Sequence, residues 1–478
     1  MKILLINPSF STSKFGRFAR FMESMPCLGL AYIAAVLEKN NIYVEVIDDF
    51  VLKSGVSGIS KAVKEKGFDV VGISCLTPSA PEAFLIAREI KKLNNRVLTV
   101  LGNIHATVFA EEILKDEEVD VVVRGEGEYA MLELVNALKE GRSFEHIKGI
   151  SFKNAGGIVN TPPRELIADL DGLPYPAWHL FPYKEYGFLP FVDIKRRALS
   201  VSIAGSRGCL YNCSFCSLPN VKYREREPKK IVDEIEHLVD RYHVRQLGFV
   251  DPIFPLHKKQ GLEFCREMAI RGLNNKVNWL CETRVDLVDA ELLKAMRSAG
   301  CRRIIYGIES GVEELLGNVV KSFGLEDIRK AVRNAQEAGI LTTGLFMLGL
   351  PGETREMAQR TIDFAKKIKV DFAKFAITVP YPGSRLYESL VSSGRLKRKD
   401  WENFITFNQD PKELVYIPGG MGPGELIRMQ QKAHFEFYVR PQVILKQLFK
   451  NRTIGLKDLL SGFFSLLFSI MGSRNYNK

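Results

Sequence analysis

Three cysteines are close enough in sequence to do chemistry together. In GSRGCLYNCSFCSLP, Gly205 to Pro219, Cys209, Cys213 and Cys216 form a C-x3-C-x2-C array. Three such thiolates can reach one metal centre, and Gly205 and Gly208 let the backbone wrap tightly around it. Zinc is one possible occupant. A closed structural zinc site takes four Cys or His ligands, and the nearest further ones, Cys265 and His179, lie at no usual spacing. An iron–sulfur cluster is the other occupant. Such clusters are normally held by four cysteines, so a set of three leaves one iron open to a substrate and points to catalysis rather than electron storage.

The array resembles the signature of the radical S-adenosylmethionine (SAM) enzymes, which also carry an aromatic residue just before the last cysteine, here Phe215. The resemblance implies a [4Fe–4S] cluster on Cys209, Cys213 and Cys216, with SAM on the open iron. It implies reductive cleavage of SAM to methionine and a 5′-deoxyadenosyl radical.

The elements that must position this array are legible on either side of it. From Leu199 onward, apolar strand patterns alternate with helix patterns about six times. Polar residues collect at the carboxyl ends of these strands, where barrels of parallel strands keep their chemistry. They are Asp251; Glu282, Arg284 and Asp286; Glu309-Ser310-Gly311; Gly349 to Glu353; and Tyr381-Pro382-Gly383. Six units are too few for a closed eight-unit barrel. A partial (β/α)6, TIM-like barrel is the radical SAM fold, and the resemblance covers Leu199 to about Leu390. By that resemblance Phe215, Arg284, Glu309, Ser310 and Gly349 are the SAM-binding candidates. Glu309 would accept from the ammonium or the ribose hydroxyls, and Arg284 would pair with the carboxylate or else with Asp286. The backbone of Met347 to Leu350 would flank adenine. Where relatives often have Asp-Asp, this chain has Asp251-Pro252.

Residues 1 to about 128 also alternate strand and helix. The strands are continuous apolar runs, as when helices cover both faces of a parallel sheet. The pattern predicts an α/β, doubly wound, Rossmann-like domain that binds its ligand beyond the carboxyl ends of the strands. No G-x-G-x-x-G follows the first strand, which disfavours a dinucleotide. LLINPSF, PCLGLAYIAAVLE, IHAT and RGEGE resemble the cobalamin-binding domain fused to many radical SAM enzymes. That resemblance makes Ser9, Thr77, Gly102, His105, Thr107, Glu126 and Gly127 cobalamin contacts. The D-x-H-x-x-G motif whose His ligates cobalt is absent, so His105 is expected to touch the cofactor without ligating the metal.

Expected domains are therefore a cobalamin-binding domain (1–145), a hairpin and interdomain strap (146–194), the radical SAM barrel (195–410) and a helical C-terminal region (411–478). Eight cysteines in 478 residues make no disulfide framework, and a reducing, cytoplasmic setting fits. Residues 440–478 hold seven basic side chains and one acid, or +6 of the net +11. The charge marks a local surface, not a nucleic-acid-coating protein. In that tail the uncharged run Leu459 to Gly472 is too short to span a membrane. It suits packing on the barrel or peripheral contact with a membrane surface.

The resemblance implies a methyltransferase that uses methylcobalamin to methylate an unactivated carbon of a small-molecule or lipid (isoprenoid) substrate, with flavodoxin or ferredoxin as one-electron reductant. The same parts serve cyclisation or rearrangement in some relatives. An RNA-modifying methylthiotransferase would need a second cysteine triad in the N-terminal domain, which has only Cys27 and Cys75. A non-enzymatic metal-binding scaffold would carry zinc and leave SAM intact.

Overall fold

Strand β1, Lys2–Asn7, buries all four residues of its Ile-Leu-Leu-Ile run. Each such side chain contributes about 1.5–3 kcal/mol when fully buried, so the run can serve only as a central strand covered on both faces. The computed structural model describes residues 1–10, 26–116, 118–186, 199–218, 221–397 and 399–446. They fall into two compact units, the first comprising 1–10, 26–186 and Asp400–Phe404, the second the rest.

In the first unit β1 lies between β2 (Tyr43–Asp48) and β3 (Val70–Ser74), followed outward by β4 (Leu98–Gly102) and β5 (Val121–Val123). These five strands are parallel in the order 2-1-3-4-5, which puts the topological switch point between β1 and β3. The hairpin β6 (Ile150–Asn154) and β7 (Gly157–Asn160) extends the same sheet in antiparallel register. Two short helices, Ile104–Val108 and Ala110–Ile113, follow β4, and Asn103 caps the first by accepting from Ile104 N–H. The proline- and aromatic-rich segment before Tyr186 packs on this unit through buried Trp178 and Phe181. It ends with the Tyr186 hydroxyl donating to Asp48 at 2.5 Å.

The second unit is built on six parallel strands: β8 (Ser200–Ile203), then β11 (Gln246–Phe249), β12 (Asn278–Thr283), β13 (Cys301–Glu309), β14 (Leu341–Leu348) and β15 (Phe372–Ile377). They lie side by side in chain order. This is the open (β/α)6 barrel expected from the sequence. A short antiparallel pair, β9 (Ser206–Arg207) with β10 (Arg224–Glu225), closes the base of the cysteine loop. Phe249, Phe254, Phe264 and Trp279 fill the wall behind β11 and β12, with the first two stacked 3.8 Å apart. Helix Pro423–Tyr438 packs along β15, and a short helix, Pro441–Leu445, follows it.

No helix among the described residues is long and apolar enough to cross a membrane. The apolar tail run, Leu459 to Gly472, lies outside the described residues.

Candidate functional site

The cysteine loop is fixed at both ends by the barrel. Gly208 has φ +86°, and a Cβ there would sit 2.4 Å from the Lys222 carbonyl oxygen and 2.7 Å from that of Val221. Only glycine allows this return, which lets Cys209 N–H donate to Val221 O at 3.1 Å. Gly205 has a different reason: a Cβ would lie 2.6 Å from the Phe254 ring. It makes room for the aromatic wall rather than wrapping the loop. Further along, Leu386 N–H donates to Ser214 O, Ser214 N–H to Val319 O and the Arg385 guanidinium to Asn212 O. Buried Asp251 accepts from Gly205 N–H at 2.9 Å and from the Ser206 hydroxyl at 2.5 Å. Burial pushes its carboxyl up to about 6 against these bonds. Asp251 thus anchors the base of the loop.

The three thiols are free and half-buried. Tyr211 N–H points at Cys209 Sγ (3.5 Å) and Leu218 N–H at Cys216 Sγ (3.4 Å). Burial pushes the Cys213 thiol up, and the nearby Lys321 ammonium opposes that. Among the described residues no three His, Cys, Asp or Glu side chains form a ready site for a single metal ion. A cluster asks each thiolate to bind a separate iron, so its ligands need not meet at one point.

Facing the loop is a buried charge network. Glu309, at the end of β13, has φ +65° and pairs with Lys321 at 2.9 Å. A left-handed non-glycine residue at a strand end stores strain that the surroundings must hold. Burial alone would lower the Lys321 ammonium; Glu309 and Cys213 more than offset this, and its pKa is raised. Arg284 is bidentate to Asp286 (2.9 and 2.8 Å), donates to Ser322 at 2.7 Å and lies 3.6 Å over the Tyr211 ring. Of the two partners considered for Arg284, the described structure therefore supplies Asp286. One guanidinium nitrogen, Nη1, stays buried with no hydrogen-bond partner, a donor still aimed at nothing.

The other SAM candidates support the backbone. Ser310 Oγ lies 3.1 Å from Thr361 Oγ1 and accepts from Val312 N–H. Gly349, φ +86°, donates its N–H to Glu353, which also accepts from Leu350 N–H at 3.2 Å. Phe215 packs with Met347 and Met357 onto Val312, Leu315, Val319 and Leu350, pinning the loop to the barrel. Lys321 carries no motif spacing and was not visible in the sequence. Tyr211 was not singled out either, although it stands between the first two cysteines.

In the first unit the cobalamin candidates do gather at the carboxyl ends of β1, β3, β4 and β5, and they mostly bond to their neighbours. Ser9 Oγ donates to Asp49 at 3.0 Å. Thr107 Oγ1 donates to Asn103 O and accepts from Gly125 N–H, tying the β4 loop to the β5 loop. Glu126 accepts from Ile167 N–H at 2.7 Å. Gly102 closes β4, and Gly127 leaves space for Ile33, which a Cβ would approach to 2.9 Å. His105 lies 3.3 Å from Thr77 Oγ1, with the Phe109 and Trp401 rings each 4.8 Å from its own. It is 1% exposed, and burial lowers its pKa to about 4. It is a neutral, enclosed ring.

Residues 203–365 match the family model of the radical SAM superfamily, and residues 18–135 match that of the B12-binding domain. The chain is 31% identical over 475 residues to a protein of Pyrococcus horikoshii described as an uncharacterized methyltransferase, covering 98% of this chain and 99% of that one. The chain belongs to the radical SAM superfamily, in the branch that carries a B12-binding domain. It is likewise 31% identical over 452 residues to the anaerobic magnesium-protoporphyrin IX monomethyl ester cyclase of Rubrivivax gelatinosus, covering 92% of this chain and 78% of that one. Its fold matches the radical SAM methyltransferase TsrM of Kitasatospora setae, solved with cobalamin and a [4Fe–4S] cluster, with TM-score 0.69 and 22% identity over 90% of this chain and 81% of that one.

The protein is thus a radical SAM enzyme whose cofactors are a [4Fe–4S] cluster, SAM and cobalamin. The residues present fit these groups. The cysteine loop offers three accessible thiols with N–H groups aimed at two sulfurs, beside Lys321 and the unpartnered Arg284 nitrogen. The rim of the first sheet exposes Leu76 (43%) and Val108 (38%), an apolar surface suited to a flat macrocycle.

Proposed function

We propose that this radical SAM enzyme transfers a methyl group to an unactivated carbon of a small molecule, drawing on an external one-electron reductant. The observation that carries the reading is the single cysteine loop held against a buried Glu309–Lys321 pair, in a chain aligned end to end with a methyltransferase. When bound, the cluster supplies the electron that splits SAM, and cobalamin supplies the carrier for the methyl group.

The chain's own residues do the positioning. Cys209, Cys213 and Cys216 hold the cluster. Lys321 favours the thiolate forms of Cys213 and Cys216 by charge, and Arg284 that of Cys213, while N–H groups on the sulfurs adjust the cluster's potential. Glu309, fixed by Lys321, presents a carboxylate to the SAM ammonium or ribose. Arg284 Nη1 is the donor left for the SAM carboxylate while Asp286 orients the guanidinium. Ser310, Gly349 and Phe215 keep the strand ends and the loop in register. In the first unit Ser9, Thr77, Gly102, Thr107, Glu126 and Gly127 shape the cobalamin rim. His105, enclosed by Phe109 and Trp401, would support this rim rather than act as a metal ligand.

A second reading, cyclisation, is favoured by the 31% identity to the monomethyl ester cyclase. The experiment that separates the two uses the full chain, reconstituted anaerobically with iron, sulfide and hydroxocobalamin, and SAM deuterated in its methyl group. Methyl transfer predicts the label on cobalt and then in a small molecule of an anaerobic cell extract. Formation of 5′-deoxyadenosine with all label retained in methionine would favour cyclisation instead.

A further inference from the structure

Inside the barrel of the second unit lies a cavity of about 180 Å³. Its walls are mainly apolar, with Phe215, Leu345, Met347 and Ala376 among them, and Glu309, Lys374, Tyr381 and Thr406 supply the polar groups. Glu309 is already neutralised by Lys321. Lys374 is different. It lies on β15 beside Leu345 of β14, while Glu309 aligns with Phe346, so the lysine stands deeper in the barrel than the glutamate. Its ammonium makes no ion pair or hydrogen bond to any described residue; its contact is with the face of the Phe407 ring, 5.5 Å away. Most exposed lysines on a protein surface point into water and need no explanation. This one is exposed too, but along the wall of a largely apolar cavity.

We propose that Lys374 recognises an anionic group, a carboxylate or a phosphonate or phosphate, on the small-molecule substrate. This deepens the methyltransferase reading and rests on it. A charge-assisted bond from this ammonium to an anion is about twice as strong as one between neutral groups. The apolar walls of Leu345, Met347 and Ala376 would then hold the hydrocarbon part, whose carbon is to be modified, between the lysine and the SAM end of the site. The Tyr381 hydroxyl has no hydrogen-bond partner among the described residues and can donate to the same anion.

One carboxyl could cancel the charge. Glu282, on β12, faces Glu309, Lys321 and Lys374 across the barrel, and burial with the Glu309 charge pushes it up to about 7. It is beyond ion-pair distance of Lys374 and is partly protonated at neutral pH, so the lysine's charge is not consumed. SAM also carries a carboxylate, but the unpartnered Arg284 nitrogen stands beside the cysteine loop, whereas Lys374 lies deeper on the opposite strand.

The test uses the full reconstituted chain saturated with SAM and three small probes, benzoate, its neutral isostere benzamide, and phenylphosphonate. Their binding is followed by ligand-observed NMR. Lys374 acetylation by acetic anhydride is read by mass spectrometry in parallel. With SAM already bound, benzoate or phenylphosphonate is expected to bind at least about tenfold more tightly than benzamide and to protect Lys374 from acetylation. K374M is expected to lose that preference and K374R to keep it. Equal binding of benzoate, phenylphosphonate and benzamide to the unsubstituted protein, or anion binding that leaves Lys374 fully acetylated, overturns the proposal. Protection of Lys374 by SAM alone, with no further effect of the probes, assigns the lysine to SAM and also overturns it. SAM cleavage measured on the same preparation is independent of these outcomes: its absence would count against the methyltransferase reading, whatever the probes do.

Discussion

The two units use the same device, a parallel sheet with its polar residues at the carboxyl ends, and finish it in opposite ways. At the rim of the first sheet nearly every polar group is tied to a neighbour. Ser9 bonds Asp49, Thr107 bonds two loops, Glu126 holds Ile167 and His105 is enclosed by rings. At the mouth of the second, charges are buried with orphan atoms left over, Arg284 Nη1 and Glu353 Oε1, and further in the exposed ammonium of Lys374 has no ion-pair partner among the described residues. A rim that satisfies itself can offer a large cofactor shape and apolar surface. A mouth that stays unsatisfied retains charges and donors for a small, highly charged ligand such as SAM, at a cost in stability.

That contrast can be broken by experiment, and the largest effect falls at the mouth. Lys321→Met leaves Glu309 buried without its partner and should destabilise the protein by about 3–5 kcal/mol. Adding Glu309→Gln should recover much of this. A double substitution no better than the single one would mean the two side chains are not a coupled pair. Gly208→Ala forces a left-handed backbone onto alanine, against two carbonyl oxygens. It should cost about 2 kcal/mol and lower the iron bound after reconstitution, measured per chain by colorimetry.

Glu282 tests the mouth through pH. Its folded pKa of about 7 lies above the usual carboxylate value of about 4.3, so the folded protein holds an extra proton. The stability this brings is complete below pH about 4 and is lost as pH rises through 7. Glu282→Gln should therefore gain about 2–3 kcal/mol on the unsubstituted protein between pH 5 and pH 8, read from denaturation midpoints. A pH-independent difference would contradict the burial argument. The smallest effect belongs to the first unit. Thr107→Val removes the tie to Gly125 and should cost about 1 kcal/mol while leaving SAM cleavage unchanged. A large loss of SAM cleavage would erase the distinction between the two rims.

Much of this was legible in the sequence because it is local. The cysteine spacing, the six strand–helix repeats and the IHAT and RGEGE loops are each carried by a few adjacent residues, and the observed strands follow them. Lys321 and Lys374 were not legible. Lys321 meets Glu309 only because a loop folds back over the mouth, and Lys374 lies in an ordinary-looking strand, FAKFAI, whose inward face is fixed by its register with β14. Gly205 was legible as a glycine but not in its purpose, which depends on Phe254, distant in sequence and adjacent in space. Short spacing announces ligands; the partners that tune them arrive through tertiary contact.

The central question is whether the cysteine loop directs the cleavage of SAM. The most direct measurement is 5′-deoxyadenosine released by the anaerobically reconstituted full chain with dithionite, compared with Cys213→Ala treated identically. Steady release is expected from the unsubstituted chain, with iron and sulfide bound in equal amounts, and none from the variant although cobalamin still binds. Release by Cys213→Ala at the unsubstituted rate, or a fully iron-loaded chain that leaves SAM intact, would contradict this expectation.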